Sequence, residues 1–252
     1  MAALVSAVGW STTLVGWWVA KTWLQPVAAL GASALFGYGL VGLLYRREPQ
    51  ALARSGRLLA LPRPRDLVPI ALLLPCYTLG TVIERVVRAA LGAATTTPSF
   101  EWSDALVTAG SEREPIAALI VFFLLFPALE EWLYRGVLLP ALVPRTGERV
   151  AVLSVAALSA SAFVGTRPSV TSFLGLFAAA FLWSAVAGFA RLRTGTLAAA
   201  ILVHVGLVVQ WAVLRPLLPS LFGASPPLVL VLAAAGSVLA GLSLLSRRPP
   251  DP

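Results

Sequence analysis

Residues 116–143 read IAALIVFFLLFPALEEWLYRGVLLPALV, an apolar run whose only charged members are Glu130, Glu131 and Arg135. A helix needs roughly 20 apolar residues to cross about 30 Å of hydrocarbon, and this run supplies them. It is therefore read as a membrane span with a charge cluster inside it. Ionisable groups in lipid are costly and face a bundle interior or a wet cavity, so the cluster marks the part of the chain where chemistry is to be sought.

Outward from this run, further apolar stretches fall at approximately 3–23, 26–45, 67–91, 150–166, 169–190, 196–214 and 227–245. The chain has 252 residues, 58% of them hydrophobic and 12% charged, and its mean hydropathy is +0.86, well outside the range of soluble domains. These stretches are too long for barrel strands, and backbone groups in lipid must be satisfied within helices or a closed barrel. The expectation is an all-α, polytopic helical membrane bundle of about eight transmembrane helices, with residues 1–252 forming one membrane domain. The first stretch lacks a basic residue before Lys21 and reads as a span, not a removable leader.

The formal charge of +8 implies no nucleic-acid partner, because most of it lies in short connections where arginine sets topology. With the N-terminus in the cytoplasm, the cytoplasmic segments hold Arg46, Arg47, Arg54, Arg57, Arg63, Arg65, Arg145, Arg149, Arg191, Arg193, Arg247 and Arg248, against Lys21, Arg113, Arg167 and Arg215 on the other side. Both termini are placed in the cytoplasm, with a basic loop at 46–66 and a tail at 246–252. The arginine-rich, lysine-poor composition suggests a GC-rich genome, and a bacterial inner (cell) membrane is the expected location. The lone Cys76 excludes an intrachain disulfide, and Trp17, Trp18, Trp23 and Trp102 suit interfacial belts.

Glu131 and Arg135 stand at i, i+4 spacing on one helix face and can neutralise each other. Glu130 is rotated about 100° away and is left for another task. A carboxylate in an intramembrane cavity is suited to take a proton from water. His204, the only histidine, lies roughly 12 Å in from the cytoplasmic end of its span and Glu130 roughly 20 Å from the end of its own, so the two can meet in depth. An interhelical ion cluster that only locks packing is the alternative. In the third span, Glu84 and Arg88 are expected to snorkel as a pair near its outer end.

EEWLYRGVLLPAL followed two spans later by RLRTGTLAAAILVH resembles the CPBP family of intramembrane proteases, which includes type II CAAX prenyl endopeptidases and bacteriocin-processing proteins. The resemblance covers about 115–210 and rests on Glu130, Glu131, Arg135, Gly136 and Pro140. It implies a helical bundle with a water-accessible cavity toward the cytoplasm. In it Glu130 is the base, Glu131 with Arg135 orients it, and His204 is the oxyanion-side histidine.

Two positions depart from that pattern. The Phe-x-x-x-His motif puts either Arg167 or Phe163 where histidine belongs, and the asparagine expected four residues after His204 is Val208. Zinc, suggested by the family's metalloprotease label, wants three or four ligands; Glu130, Glu131 and His204 are the most this core offers, and no cofactor is assigned. Three classes stay open. One is an endopeptidase acting on a membrane-bound, lipidated or bacteriocin-like peptide. Another is a catalytically inactive scaffold binding a membrane client. The third is a small-solute transporter component, for which repeated halves are missing. A polar side chain beside Glu130 points to the enzyme, and apolar packing there by Phe163 points to the scaffold.

Overall fold

The computed structural model describes residues 60–92, 126–161, 170–210, 217 and 226–247. The expected spans 3–23 and 26–45, the loop residues 46–59, the four interfacial tryptophans, Phe163 and Arg167 lie outside these. Val208 is within them as backbone only. Every regular element among the described residues is helical. In chain order these are α1 (Pro64–Leu73), α2 (Cys76–Ala90), α3 (Phe126–Glu131), a π-helical segment (Trp132–Leu138), α4 (Leu139–Thr146), α5 (Glu148–Ser161), α6 (Val170–Thr194), α7 (Leu197–Val209) and α8 (Leu228–Ser246).

Three of these stretches, Pro64–Ala90, Val170–Thr194 and Leu228–Ser246, are long and apolar enough to cross a membrane. On α8, Leu228, Val229, Leu232 and Leu239 are exposed, an apolar face that suits lipid and not water. The chain is an integral membrane protein with a helical bundle fold. Pro64 opens α1 at the first helical turn, where a missing N–H costs nothing.

The third span is broken at Leu74 and Pro75. Proline has no N–H to offer the preceding turn, and the amide of Leu74 turns to the carbonyl of Ala71 while that of Thr78 turns to Pro75. Two carbonyls near the break are taken up from other helices. Ser237 Oγ of α8 donates to Leu72 O at 2.9 Å, and Gln210 Nε2, just past α7, donates to Leu74 O at 2.7 Å. Gly206 lets α7 approach, since a Cβ there would overlap the Leu74 side chain. Gln210→Leu is expected to destabilise the protein by about 1–3 kcal/mol by leaving the Leu74 carbonyl buried and unpaired. Thermal unfolding in detergent micelles measures this.

Two apolar clusters organise the interior. Ile70 and Leu73 of α1, Cys76 of α2, Val186, Ala187 and Ala190 of α6, Ala199, Ala200 and Val203 of α7, and Val238 and Leu245 of α8 form one. Tyr134, Leu138, Leu139, Ala151, Val152 and Val155 form the other, joined by Leu192 of α6. Alanines on facing helices allow the close approach that drives association in lipid.

The turns Gly147 and Gly195 adopt φ of 80° and 72°, a region glycine enters without Cβ strain. Arg193 Nη2 and Glu148 Oε2 are paired at 2.9 Å, which holds the two turns at one end of the bundle.

The snorkelling expectation for Glu84 and Arg88 is corrected. Both are buried, at 5% and 6% exposure, where α2 crosses α6. A Cβ at Gly175 would lie 2.8 Å from Arg88 Cγ and 3.0 Å from the Glu84 carbonyl oxygen. The absent side chain admits the stems that were expected to reach for the interface.

Candidate functional site

The charge cluster sits where the helix changes its winding. α3 ends at Glu131, and the following seven residues, Trp132–Leu138, wind as a π-helix. Leu139 N–H closes that segment by donating to Tyr134 O, five residues back. The span expected at 116–143 is described from Phe126 onward, and there its winding changes from α to π. π-Turns are rare and concentrate at functional sites because the extra residue redirects side chains. Here Tyr134, Arg135, Gly136 and Leu138 are all buried, a wider arc than one α-helical stripe provides.

Arg135 and Glu131 are each 1% exposed, and Arg135 Nη1 donates to Glu131 Oε1 at 3.1 Å. The i, i+4 pair read from spacing is formed. Its other partner differs from the sequence-based expectation, which set His204 against Glu130. His204 Nδ1 of α7 lies 2.9 Å from Glu131 Oε1, whereas His204 Nε2 stands 3.9 Å from Glu130 Oε2, beyond direct hydrogen bonding. Glu131, ion-paired with Arg135, can only accept, so the network assigns the imidazole proton to Nδ1. Nε2, the other ring nitrogen, faces Glu130 and is an acceptor when the ring is neutral.

Glu130 and His204 retain 15% side-chain exposure each, against 2% for Glu131. The Glu131–Arg135 pair is thus fully enclosed, and Glu130 and His204 are partly exposed. Glu130 is held by one serine, itself held by a second, and neither was singled out from the sequence. Ser159 Oγ of α5 donates to Glu130 Oε1 at 2.9 Å, and Ser184 Oγ of α6 donates to Ser159 Oγ at 3.0 Å. Hydroxyls inside apolar spans were the available signal, but serine commonly bonds its own helix backbone, as Ser161 does with Leu158. Val208 belongs to α7 as backbone, and Phe163 and Arg167 fall outside the described residues.

Glu131 Oε1 is occupied by Arg135 and His204 Nδ1, while Glu131 Oε2 is buried without a hydrogen-bond partner, so Glu130 Oε2, His204 Nε2 and that inner oxygen are the donors the cluster leaves open, and zinc wants three or four that converge on one point. No cluster of three or more His, Cys, Asp or Glu suited to a metal occurs among the described residues. Any activity of this centre is expected to survive 1,10-phenanthroline or EDTA unchanged, measured as product formed before and after chelation in membranes.

Residues 112–209 match the family described as "Type II CAAX prenyl endopeptidase Rce1-like". The matched segment contains Glu130, Glu131, Arg135, Ser159, Ser184 and His204. No curated protein and no solved structure matches the chain.

Proposed function

From the premise that the chain carries a domain of the CAAX-type intramembrane protease family across residues 112–209, we propose that it is an intramembrane endopeptidase. Its substrate is a membrane-bound peptide, a prenylated CAAX terminus being the class named by the family's description. The observation that carries this reading is the facing pair Glu130 Oε2 and His204 Nε2 at 3.9 Å. Two acceptors at that separation can share one water lying off the line between them.

Such a water donates one hydrogen to each acceptor, which turns its lone pairs outward to a carbonyl carbon. As the oxygen–carbon bond forms, Glu130 Oε2 takes the proton as general base. Collapse of the tetrahedral intermediate breaks the carbon–nitrogen bond, and Glu130 returns the proton to the leaving amine. Glu131 and Arg135 orient the His204 ring, and a proton on Nδ1 gives His204 the task of holding water. With both ring nitrogens protonated, His204 would instead serve the oxyanion-side role that the resemblance implies.

Ser159 supplies the polar side chain beside Glu130 that distinguishes this reading from an apolar scaffold. An inactive, client-binding member is favoured by one observation, that His204 is the sole histidine and Val208 stands where an amide belongs. The arginine distribution supports a cytoplasmic opening of the site in a bacterial cell membrane. Incubation of a farnesylated CAAX peptide with wild type and Glu130→Gln in proteoliposomes tests the proposal. Product from wild type alone supports hydrolysis, and equal product from both selects the scaffold.

A further inference from the structure

Resting on the hydrolase reading above, we propose that Ser159, backed by Ser184, is a positioning residue that reserves one oxygen of Glu130 for the water. The direction of the hydrogen bonds follows from valence. An ionised carboxylate only accepts, so the single hydroxyl proton of Ser159 goes to Glu130 Oε1. Ser159 Oγ must then accept from Ser184, which agrees with the 3.0 Å contact between two buried hydroxyls on different helices.

The terminal torsion of a glutamate is broad and roughly two-fold, so an unanchored carboxylate exchanges its oxygens. Ser159 removes that freedom. Oε1 is held at 2.9 Å, and Oε2 is left facing His204 Nε2. The anchor is itself fixed, because Ser184 comes from α6 while Ser159 comes from α5. Three helices thereby set the orientation of one carboxylate. Ser159 is 1% exposed, so its oxygen is not available to attack a substrate, and a nucleophilic role is disfavoured by burial alone. It also stands four residues before Phe163, one of the two positions where the family motif expects a histidine. A hydroxyl thus orients the base in a chain lacking that second histidine.

Steady-state kinetics of the full-length protein in proteoliposomes, with a farnesylated CAAX peptide, test this. Ser159→Ala is expected to lower kcat by about 10–100-fold, since misorientation of a catalytic group by about 1 Å costs up to that much. KM should stay within about twofold, because no substrate contact is removed. Ser159→Thr, which keeps the hydroxyl, should recover most of the loss. Ser159→Cys, close in volume but a weak donor, should not, and it replaces Ser159→Ala if the alanine variant fails to fold. Ser184→Ala alone should cost about 3–10-fold and add nothing on top of Ser159→Ala, because it acts through Ser159. A wild-type kcat in Ser159→Ala or Ser159→Cys, or independent multiplication of the two serine effects, overturns the inference. Glu130→Gln in the same assay separates the failures. If it is active, the hydrolase reading fails. If it is inactive beside a fully active Ser159→Ala, only the positioning role fails.

Discussion

Glu130→Gln should reduce cleavage of a farnesylated CAAX peptide by about 10²–10⁴-fold, the range for loss of a general base, while the protein keeps its fold. The substitution is nearly isosteric. Its carbonyl oxygen still accepts from Ser159, which donates to Glu130 Oε1 at 2.9 Å in the native protein. Its amide nitrogen takes the place of Oε2, 3.9 Å from His204 Nε2, and presents N–H groups where the carboxylate offered lone pairs. Packing and hydrogen bonding are thus retained, and the lone pair that would receive the proton of water is lost. Peptide release followed by mass spectrometry, alongside thermal unfolding in micelles, reads both quantities. Undiminished product would remove Glu130 from the chemistry and leave the scaffold reading in its place.

The second large effect is on stability. Arg135→Met should destabilise the protein by about 3–5 kcal/mol, because it strips a buried carboxylate of its cation. Glu131 is 1% exposed and would keep only His204, at 2.9 Å from Oε1. The expected observation is a sharply lower yield of monodisperse protein and an earlier unfolding transition. Removing both charges in Glu131→Leu/Arg135→Met should restore much of that stability, since neither group then remains buried without its partner. Activity should not return with it. His204 would have lost the acceptor that fixes its ring and places the proton on Nδ1. A double variant that regained both stability and cleavage would show that Glu131 has no part in orienting His204.

The two predictions draw on different kinds of information in the chain. The Glu131–Arg135 contact is a consequence of helical periodicity, which brings residues four apart onto one face, and it survives even though the helix passes into a π-segment immediately after Glu131. Helix positions were legible for a similar reason. The apolar stretches expected at 169–190 and 227–245 correspond to α6 at Val170–Thr194 and α8 at Leu228–Ser246, because apolar run length is itself the physical requirement for crossing lipid.

What periodicity does not specify is how each helix is rotated about its axis against its neighbours. His204 and Glu131 are 73 positions apart in the chain, Ser159 and Glu130 29 apart, and their meeting depends on the packing of α3, α5 and α7. The same limit explains Glu84 and Arg88. Their place near a span end suggested the interface, but the glycine at 175 on α6 provides the room that buries them. The π-segment was hidden too, since hydropathy and residue spacing do not distinguish a π-turn from the α-turns around it.

Sequence alone therefore determined a helical membrane protein with an intramembrane Glu-Glu-x-x-x-Arg cluster, since both follow from hydropathy and short-range spacing. Tertiary structure decided which partners each carboxylate of the cluster meets. It set Glu131 inward between Arg135 and His204 and turned Glu130 toward Ser159 and the partly exposed edge of His204. Adjacent carboxylates on one helix point about 100° apart, and only the neighbouring helices determine which of them meets a guanidinium and which a hydroxyl.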